Sequence, residues 1–461
     1  MIRVDSELLA RHDRPGPRYT SYPTAMEFSS AFGPGEYTTL LADAATHPDR
    51  PLSLYVHLPF CEARCSFCAC HVVVSRRPEV ADTYLDRVVA EADLLVSHLG
   101  DRRQVVQYHW GGGTPTYHSP EVLVELHQAL TRRFDMAPGA ELAIEVDPRV
   151  TTVGHLEALA ELGFNRISLG VQDLDLDVQR LIGRNQTREQ TERLYYDARR
   201  LGFPSINLDL IYGLPGQDEK TLAETLKAVI ELRPDRLAVY SFAFVPWMRP
   251  HQRRMDESLL PGTDVKFALL ALVASSLTDA GYVHIGMDHF ALPTDELVTA
   301  ARTGTLNRNF MGYTTKRDTE MVALGTSGIS DIAGAFTQNH RRLASYYEAI
   351  DRQELPIERG YRLDMDDQIR RVVITEIMCN GMADLDGIGR RFGVDGRAYF
   401  ASELTELSAP DGLIDEGMAL VTGSEVRTTE LGALFVRRVA AVFDAYTRQR
   451  SSDGPMFSRT V

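Results

Sequence analysis

The stretch YVHLPFCEARCSFCACH, residues 55–71, contains four of the five cysteines of this chain. They are Cys61, Cys65, Cys68 and Cys70, in the spacing C-x3-C-x2-C-x-C, whereas Cys379 lies far away along the sequence. Buried cysteines that only fill space are usually scattered, so a chance cluster of four is improbable. The spacing therefore predicts a site that binds a metal ion or a metal cluster.

Three kinds of metal site compete for these thiols. A covalent haem site requires a histidine directly after the second cysteine of C-x-x-C, but Ala69 follows Cys68. Zinc stays possible with His71 as a further ligand, although structural zinc sites usually pair two separated cysteine knuckles. An iron–sulfur cluster is favoured. Three cysteine ligands leave one iron open to a small molecule, whereas four make the cluster an electron carrier only.

Composition narrows the class of protein and its partners. The chain has 461 residues, of which 44% are hydrophobic and 25% charged, as expected of a globular protein with two or three domains. Its formal net charge of -15 argues against nucleic acid or an anionic membrane as a partner. The first residues have no signal-peptide pattern, and the apolar run FALLALVA (267–274) is too short to span a bilayer. We therefore expect a cytoplasmic protein.

Six short β-rich runs alternate with helical patterns from about residue 52 onwards. They are LSLYVHL (52–58), VVQYHW (105–110), LAIEV (142–146), RISLGV (166–171), INLDLIYG (206–213) and RLAVYSFAF (236–244). This alternation indicates a parallel sheet with right-handed crossovers. Polar or glycine-rich residues lie at the end of almost every run, as they do where barrel strands converge on one mouth. We predict an α/β fold built on an incomplete TIM-like (βα)6 barrel.

The flanks of this barrel differ from it in composition. Residues 1–50 are predicted to form an N-terminal arm, because the proline-rich stretch RPGPRYTSYPTA (14–25) favours a loop or extended chain. Residues 51–355 are assigned to the barrel domain with its extension. Residues 356–461 are assigned to a smaller, mainly helical domain whose helix, ribbon and helix order is winged-helix-like. Acidity favours packing or a lid over DNA binding for this domain.

The cysteine spacing after a strand resembles the signature of the radical S-adenosylmethionine enzymes. Further motifs make the chain similar to one family among them, the oxygen-independent coproporphyrinogen III oxidases or coproporphyrinogen dehydrogenases. The motifs that carry this resemblance are YVHLPFC, HWGGGTPT, IEVDPR, GFNRISLGVQD, INLDLIYGLPGQ, GMDHFA and NRNFMGYTT. The resemblance extends from about residue 14 to the C-terminus.

The resemblance implies a reaction and its cofactors. Cys61, Cys65 and Cys68 would bind one 4Fe-4S cluster, and the family holds two S-adenosylmethionine molecules. A 5'-deoxyadenosyl radical would start the oxidative decarboxylation of two propionates of coproporphyrinogen III to vinyl groups, which gives protoporphyrinogen IX in haem biosynthesis. An electron donor such as flavodoxin or ferredoxin is implied, and a monomer is expected.

The resemblance also assigns residues to the two S-adenosylmethionine molecules. Positions for the first are Tyr55, Gly112, Glu145 and Ile329. Positions for the second are Phe67, Gly113, Thr114, Gln172, Arg184, Asp209 and Ala243. Tyr55, Glu145 and Cys70 are expected to be catalytic. Physical chemistry agrees for Phe67, whose aromatic face attracts a cationic sulfonium, and for residues 111–113, where missing Cβ atoms let backbone approach a ligand.

Cys70 separates the oxidase from a close relative. In the family it is not a cluster ligand and lies near the second cofactor, whereas the related haem chaperones have phenylalanine at this position. A departure from the family is Ala69-Cys70-His71, where glycine, cysteine and asparagine are common. That change puts only the fine positioning of the second cofactor in doubt.

Substrate contacts and rival functions rest on fewer residues. Arg18, Tyr19 and Arg308 are candidates for binding the substrate propionates through charge-assisted hydrogen bonds.

The histidines of the apolar runs, His109, His284 and His289, are expected to be core residues. A methyltransferase that uses the second S-adenosylmethionine, a haem chaperone and a redox-sensing regulator that binds DNA are the alternatives.

Overall fold

The structure, a computed structural model, describes residues 6–317 and 319–449 together with Phe457 and Arg459. The first five residues of the predicted arm and the other residues after 449 lie outside the described part. None of the helices in the described part has the length and apolarity that crossing a membrane requires.

Strands and helices alternate through the first half of the chain. The strands are β1 Leu52–Leu58, β2 Phe60–Cys61, β3 Val73–Val74, β4 Gln104–Gly112, β5 Asp135–Val146, β6 Arg166–Gln172, β7 Ser205–Tyr212, β8 Arg236–Ser241, β9 Val283–Ile285, β10 His289–Ala291, β11 Asn307–Asn309, β12 Gly312–Thr314, β13 Glu320–Leu324, β14 Ile329–Ile332, β15 Ala335–Asn339, β16 Ile357–Arg362, β17 Met382–Asp384, β18 Ala419–Thr422 and β19 Glu425–Thr428. The α-helices are α1 Ser6–His12, α2 Pro34–Ala45, α3 Pro78–Leu99, α4 Pro120–Thr131, α5 Val153–Glu161, α6 Leu176–Leu181, α7 Arg188–Arg200, α8 Glu219–Leu232, α9 Thr263–Asp279, α10 Glu296–Arg302, α11 Leu343–Asp351, α12 Met365–Asn380, α13 Leu385–Phe392, α14 Gly396–Tyr399, α15 Ala401–Leu407, α16 Glu430–Leu434, α17 Val436–Ala441 and α18 Ala445–Gln449. Three 3-10 helices span Pro115–Tyr117, Pro250–Arg254 and Glu257–Leu259.

The six predicted strands form the centre of one large sheet. The strand order is β16-β15-β14-β13-β1-β4-β5-β6-β7-β8-β10-β9, and the pairs from β1 to β8 are all parallel. A seventh parallel strand, β13, which the sequence did not reveal, pairs with β1. At the other edge β8 pairs with β10 rather than with β13, so the barrel stays open. The prediction of an incomplete parallel barrel is confirmed.

The two faces of the parallel strands have opposite chemistry. Along β1, Leu54 and Val56 are fully buried in the main hydrophobic core, where the barrel helices also pack. Their neighbours Ser53, Tyr55 and His57 point to the other face, because successive side chains of a strand alternate. The inner face is therefore polar, and this face leads up to the site.

The β11–β12 hairpin, part of the motif NRNFMGYTT, covers the inner face near the start of β4. The Asn309 side-chain amide donates to Oε1 of Gln107 at 3.1 Å. The Gln107 amide in turn donates to the hydroxyl of Thr314 at 3.3 Å. The hairpin thus packs against the inner face away from the carboxyl ends of the strands.

The N-terminal arm packs against the C-terminal part of the chain. Residues 14–25 form neither helix nor extended sheet, as their prolines predict. Tyr19 and Tyr22 belong to the same hydrophobic cluster as Val373 and Phe443. The hydroxyl of Tyr19 donates to Asp444 at 3.0 Å. The arm is therefore held by the C-terminal domain, while Arg18, the residue before Tyr19, reaches the barrel.

The C-terminal part has the element order of a winged helix. Helix α12 is followed by β17, then by the helices α13 to α15, and then by the ribbon β18–β19. These three strands form an antiparallel sheet in the order β17-β19-β18. The prediction of a mainly helical, winged-helix-like domain at this end is confirmed.

Candidate active site

The carboxyl ends of the parallel strands surround a cleft of about 370 Å³. It is lined by most of the residues that the sequence predicts for the site, namely Cys61, Cys65, Phe67, Cys68, Cys70, Gly112, Gly113, Thr114, Glu145, Gln172, Arg184, Asp209 and Ala243. They come from the loops and ends of β1, β4, β5, β6, β7 and β8. Residues that are up to 182 positions apart are thus brought to one place by the strand order.

The cysteine loop is anchored at both ends by a small parallel sheet. Strand β2, which ends at Cys61, pairs with β3, and the backbone N–H of Ser75 donates to the Cys61 carbonyl at 3.1 Å. Within the loop, Cys68 N–H donates to the Cys65 carbonyl at 3.2 Å, which folds the loop into a turn. All the cysteines are free thiols, and the four of this loop line the same cleft.

Two guanidinium groups are directed at the most buried of these sulfurs. Arg149 and Arg184 lie 3.6 Å and 3.8 Å from Sγ of Cys65. Asp147 holds both arginines, at 2.6 Å and 3.2 Å. Positive donors beside a sulfur stabilise the thiolate, the form that ligates metal. This donor set therefore fits a thiolate-bound iron–sulfur cluster.

The thiols of Cys68 and Cys70 are close enough to influence each other's protonation. This contact raises the pKa of Cys70 and lowers the pKa of Cys68 to about 7. Cys70 is the more exposed of the two and opens on the cleft. Its role as a residue that acts beside the cluster stays a prediction.

Neighbouring protein atoms lie so close to the three glycines at the end of β4 that a Cβ at any of these positions would clash. Gly112 has φ of +122°, and a Cβ there would lie 2.7 Å from the His57 ring. A Cβ on Gly113 would lie 2.4 Å from the carbonyl oxygen of Pro59. The close backbone approach expected here therefore exists, and its first partner is the strand and loop that carry the cysteines.

Glu145 on β5 is held from two sides. Its carboxylate lies 3.2 Å from Nε2 of His109 and accepts the backbone N–H of Gly112 at 3.3 Å. Burial alone would raise the pKa of Glu145, but these hydrogen bonds and the nearby imidazole hold it below its ordinary value. An ionised carboxylate thus faces the cleft. His109, predicted to be a core residue, is part of this site.

A chain of hydrogen bonds joins β1 to the end of the cysteine loop. The hydroxyl of Tyr55 lies 3.0 Å from Nδ1 of His57, and Nε2 of His57 lies 3.0 Å from the carbonyl oxygen of His71. A carbonyl only accepts, so Nε2 carries the proton and Nδ1 accepts from Tyr55. Burial lowers the pKa of His57 to about 4, which keeps this ring neutral. Tyr55 therefore orients the loop through His57.

The far side of the cleft is built by β6 and β7. Gln172 has φ of +70°, unusual for a residue with a side chain, and Arg184 donates to the Gly170 carbonyl at 2.6 Å. Asp209 accepts from Ser168 at 3.0 Å. Burial and the charge of Glu145 raise the pKa of Asp209 to about 6.

Not all candidates reach the cleft. The side chain of Ile329 packs in a cluster with Phe28 and Phe336, outside the lining residues. Tyr19 is 6% exposed and bonded to Asp444, a placement that does not support a substrate contact. Arg308 is partly buried and donates to the Arg18 carbonyl at 2.9 Å. Arg18 itself lines the cleft.

Sequence reasoning missed the charged pair Asp147 and Arg149, which line the cleft beside Cys65. The signal was present in IEVDPR, where two opposite charges directly follow a buried strand. Tyr240 was missed too, because it sits within the apolar run RLAVYSFAF. Its ring lies 5.8 Å from the guanidinium of Arg18.

Comparisons with known proteins agree with this geometry. Residues 55–229 match the family model of the radical SAM superfamily. Among curated proteins, the oxygen-independent coproporphyrinogen III oxidase of Escherichia coli K12 is 43% identical, over 100% of this chain and 99% of its own length. The protein of the same name from Synechocystis is 40% identical, over 100% of this chain and 98% of its own length.

A solved structure extends the similarity to three dimensions. Coproporphyrinogen III oxidase from Escherichia coli, described as a radical SAM enzyme, superposes with a TM-score of 0.89 at 43% identity. The match covers 93% of this chain and 97% of that one. The shared architecture therefore includes the flanking domains as well as the barrel.

Proposed function

This chain belongs to the oxygen-independent coproporphyrinogen III oxidases of the radical SAM superfamily, and on that premise we propose how its cleft performs the oxidative decarboxylation of coproporphyrinogen III to protoporphyrinogen IX. The observation that carries the proposal is the meeting of three free thiols with Arg149, Arg184 and Glu145 in one cleft. Each of two propionates would lose one hydrogen atom to a 5'-deoxyadenosyl radical, one molecule of carbon dioxide and one electron to an electron acceptor, and would thereby become a vinyl group.

Cys61, Cys65 and Cys68 would hold the 4Fe-4S cluster. When bound, the cluster and S-adenosylmethionine supply the 5'-deoxyadenosyl radical that takes a hydrogen atom from the β-carbon of a propionate. The chain itself keeps Arg149 and Arg184 beside the Cys65 sulfur. It also fixes the loop through the His57 contact with the His71 carbonyl.

The first S-adenosylmethionine would be bound on the β1, β4 and β5 side of the cleft. Ionised Glu145 would accept hydrogen bonds from its ammonium group or its ribose hydroxyls. Gly112 keeps the backbone of the β4 end close and donates to Glu145. Tyr55, and the backbone at Ile329, are assigned to the same molecule, and Tyr55 acts by orienting His57.

We also propose a second S-adenosylmethionine, on the β6, β7 and β8 side. The sheet order supports two places, because Gln172 lies on β6, Asp209 lies on β7 and Ala243 follows β8. All three are on the other side of β5 from the first set. Phe67, Gly113, Thr114 and Arg184 line the cleft with them. Cys70, open to this cleft, would act beside the second molecule.

The tetrapyrrole would enter where Arg18 lines the mouth. The guanidinium group of Arg18 lies over the ring of Tyr240 and 3.5 Å from the carboxylate of Asp288, and the Arg18 side chain is about one-third exposed. A partly exposed cation at a cleft suits the carboxylate of a propionate. The arm that carries Arg18 is fixed by the contact of Tyr19 with Asp444.

The remaining expectations follow from composition and family. We propose that the protein acts as a monomer in the cytoplasm, without nucleic acid or membrane as a partner. An electron donor such as flavodoxin or ferredoxin would reduce the cluster.

The decisive experiment is anaerobic reconstitution with iron and sulfide, then dithionite reduction with S-adenosylmethionine and coproporphyrinogen III. We expect 5'-deoxyadenosine, carbon dioxide and protoporphyrinogen IX. Cys61→Ser, Cys65→Ser and Cys68→Ser should each lose the iron–sulfur absorbance and all three products. Cys70→Ser should keep the cluster and lose turnover.

Cys379→Ser is the matched control, since this buried thiol lies on α12 outside the cleft. It should keep both cluster and activity. A methylated product with S-adenosylhomocysteine would indicate a methyltransferase instead, and stoichiometric haem binding without decarboxylation would indicate a chaperone. Bleaching of the cluster in Cys70→Ser would show that the fourth thiol is a ligand.

A further inference from the structure

A basic and partly apolar surface lies outside the cleft, next to the cysteine loop. We call it the rim surface and define it as Arg64, Trp247, Met248, Arg249, Arg253 and Arg254. Trp247 is 43% exposed and Met248 is 47% exposed, although apolar side chains of this size are normally buried. The rim surface therefore exposes contact area that the fold itself does not use.

The charge of the rim surface opposes that of the whole molecule. Residues 246–255 contain three arginines, one histidine and no acid, in a chain whose formal net charge is -15. Within the described part of the chain, Arg64, Arg249, Arg253 and Arg254 form no ion pair with a carboxylate. These guanidinium groups are thus available to an anionic partner.

Direct contacts connect the rim surface to the cysteine loop. Nε2 of His251 lies 2.9 Å from the carbonyl oxygen of Cys68, and Arg64 donates to the Val72 carbonyl at 2.7 Å. A protein seated here would lie against the backbone of the loop.

The rim surface is separate from the place where substrate would bind. Of its six residues only Arg64 lines the cleft. The other five residues, Trp247, Met248, Arg249, Arg253 and Arg254, are not among the residues that line the cleft. A function in holding the tetrapyrrole or S-adenosylmethionine therefore does not explain them.

We propose that the rim surface is the docking site of an acidic one-electron carrier protein, and this inference rests on the proposed function. One electron would pass from the carrier to the cluster, so the carrier is oxidised and the cluster reduced by one electron each. Local positive charge on an acidic protein would orient an acidic carrier toward the cysteine loop and repel it elsewhere. Trp247 and Met248 would supply the apolar contact at the centre.

The test uses the reconstituted protein with S-adenosylmethionine and without substrate. An acidic bacterial flavodoxin in its hydroquinone form is mixed with it in a stopped-flow instrument, and flavin oxidation is followed. The variant R249E/R253E/R254E should lower the second-order rate at low salt at least ten-fold, and the difference should shrink as salt rises. Calorimetric affinity for oxidised flavodoxin should fall in parallel.

A matched control separates docking from bulk charge. R390E/R391E/R397E changes three exposed arginines of the C-terminal domain and lowers the net charge by the same amount. It should leave the flavodoxin rate unchanged. Equal effects of the two triple variants, or none from the rim variant, would overturn the proposal.

Two further measurements distinguish failure of docking from failure of the proposed function. Reduction by dithionite, and dithionite-driven product formation, should be the same in the wild type and the rim variant. Absence of protoporphyrinogen in the wild type with dithionite would reject the function while leaving the rate comparison intact. W247A/M248A should weaken flavodoxin affinity to a similar degree at low and high salt, since apolar contacts are not screened.

Discussion

The backbone N–H of Gly112 donates to the carboxylate of Glu145 at 3.3 Å, across the gap between β4 and β5. On its other side Gly112 faces the His57 ring, so that a Cβ at this position would lie 2.7 Å from the ring. His57 in turn contacts the His71 carbonyl at the end of the cysteine loop. One residue without a side chain thus links the acid of the cleft to the thiol loop. Substitution at this point should disturb both.

Gly112→Ala is expected to destabilise the folded protein by about 3 kcal/mol. The new Cβ would meet the His57 ring at 2.7 Å, and φ of +122° is strained for alanine. Thermal unfolding of the anaerobically reconstituted protein measures the loss. Gly139→Ala is the control, because Gly139 also has positive φ but no heavy atom within 4 Å of its Cβ position. It should lose only about 1 kcal/mol, and equal losses in the two variants would contradict the steric argument.

Arg149→Met should make the cluster harder to reduce. Arg149 places a charged donor 3.6 Å from the Cys65 sulfur, and such hydrogen bonds favour the more negative, reduced cluster. A charged hydrogen bond contributes about 2 kcal/mol, and only part of this energy differs between the oxidised and the reduced cluster. Its loss should therefore lower the midpoint potential by on the order of 50 mV. Redox titration followed by electron paramagnetic resonance gives the value. Arg188→Met, which removes an exposed pair with Glu192 on α7, should leave the potential unchanged.

Much of the barrel could be predicted because its strands have buried outer faces and regular helical connections. Leu54 and Val56 alternate with polar neighbours, and several of the runs are followed by a helix with one buried face, as α4, α5 and α8 show. Strand β13 could not be predicted in this way. It has only five residues, and it is fixed beside β1 by distant contacts, such as Arg102 to Glu320 at 2.6 Å.

The site residues that belong to short sequence motifs could be predicted. The cysteine spacing and GGGTPT gave residues that do line the cleft. In a segment without regular secondary structure, the local sequence does not indicate which part of the protein a side chain contacts. For this reason Tyr19 was wrongly expected to contact the substrate. It follows Arg18 directly, yet its side chain turns to Asp444 while Arg18 turns to the cleft.

Glu145→Gln should weaken one of the two S-adenosylmethionine binding events that we propose. A charge-assisted hydrogen bond contributes about 1.5–3 kcal/mol, so the affinity should fall roughly 10- to 100-fold. Calorimetry on the reconstituted protein, with two resolved events in the wild type, measures this. Asp209→Asn is the companion variant and should weaken the other event. A wild type with a single event that both variants remove would contradict two separate places.

Glu91 on α3 is 2% exposed, and its carboxylate accepts the backbone N–H of Gly325 at 2.7 Å and the Tyr346 hydroxyl at 2.6 Å. Burial raises its pKa to about 7. The folded protein therefore holds this proton more tightly than the unfolded chain, whose glutamate titrates near 4.3, and stability is lost as pH rises from about 4.5 through 7. The loss attributable to Glu91 is about 3 kcal/mol. Urea unfolding at pH 5 and pH 8 measures the free energy of unfolding, which should be lower at pH 8 in the wild type but not in Glu91→Gln. Glu79→Gln changes an exposed residue of the same helix, and its free energy of unfolding should fall as in the wild type. Identical slopes in all three proteins would place the ionisation elsewhere.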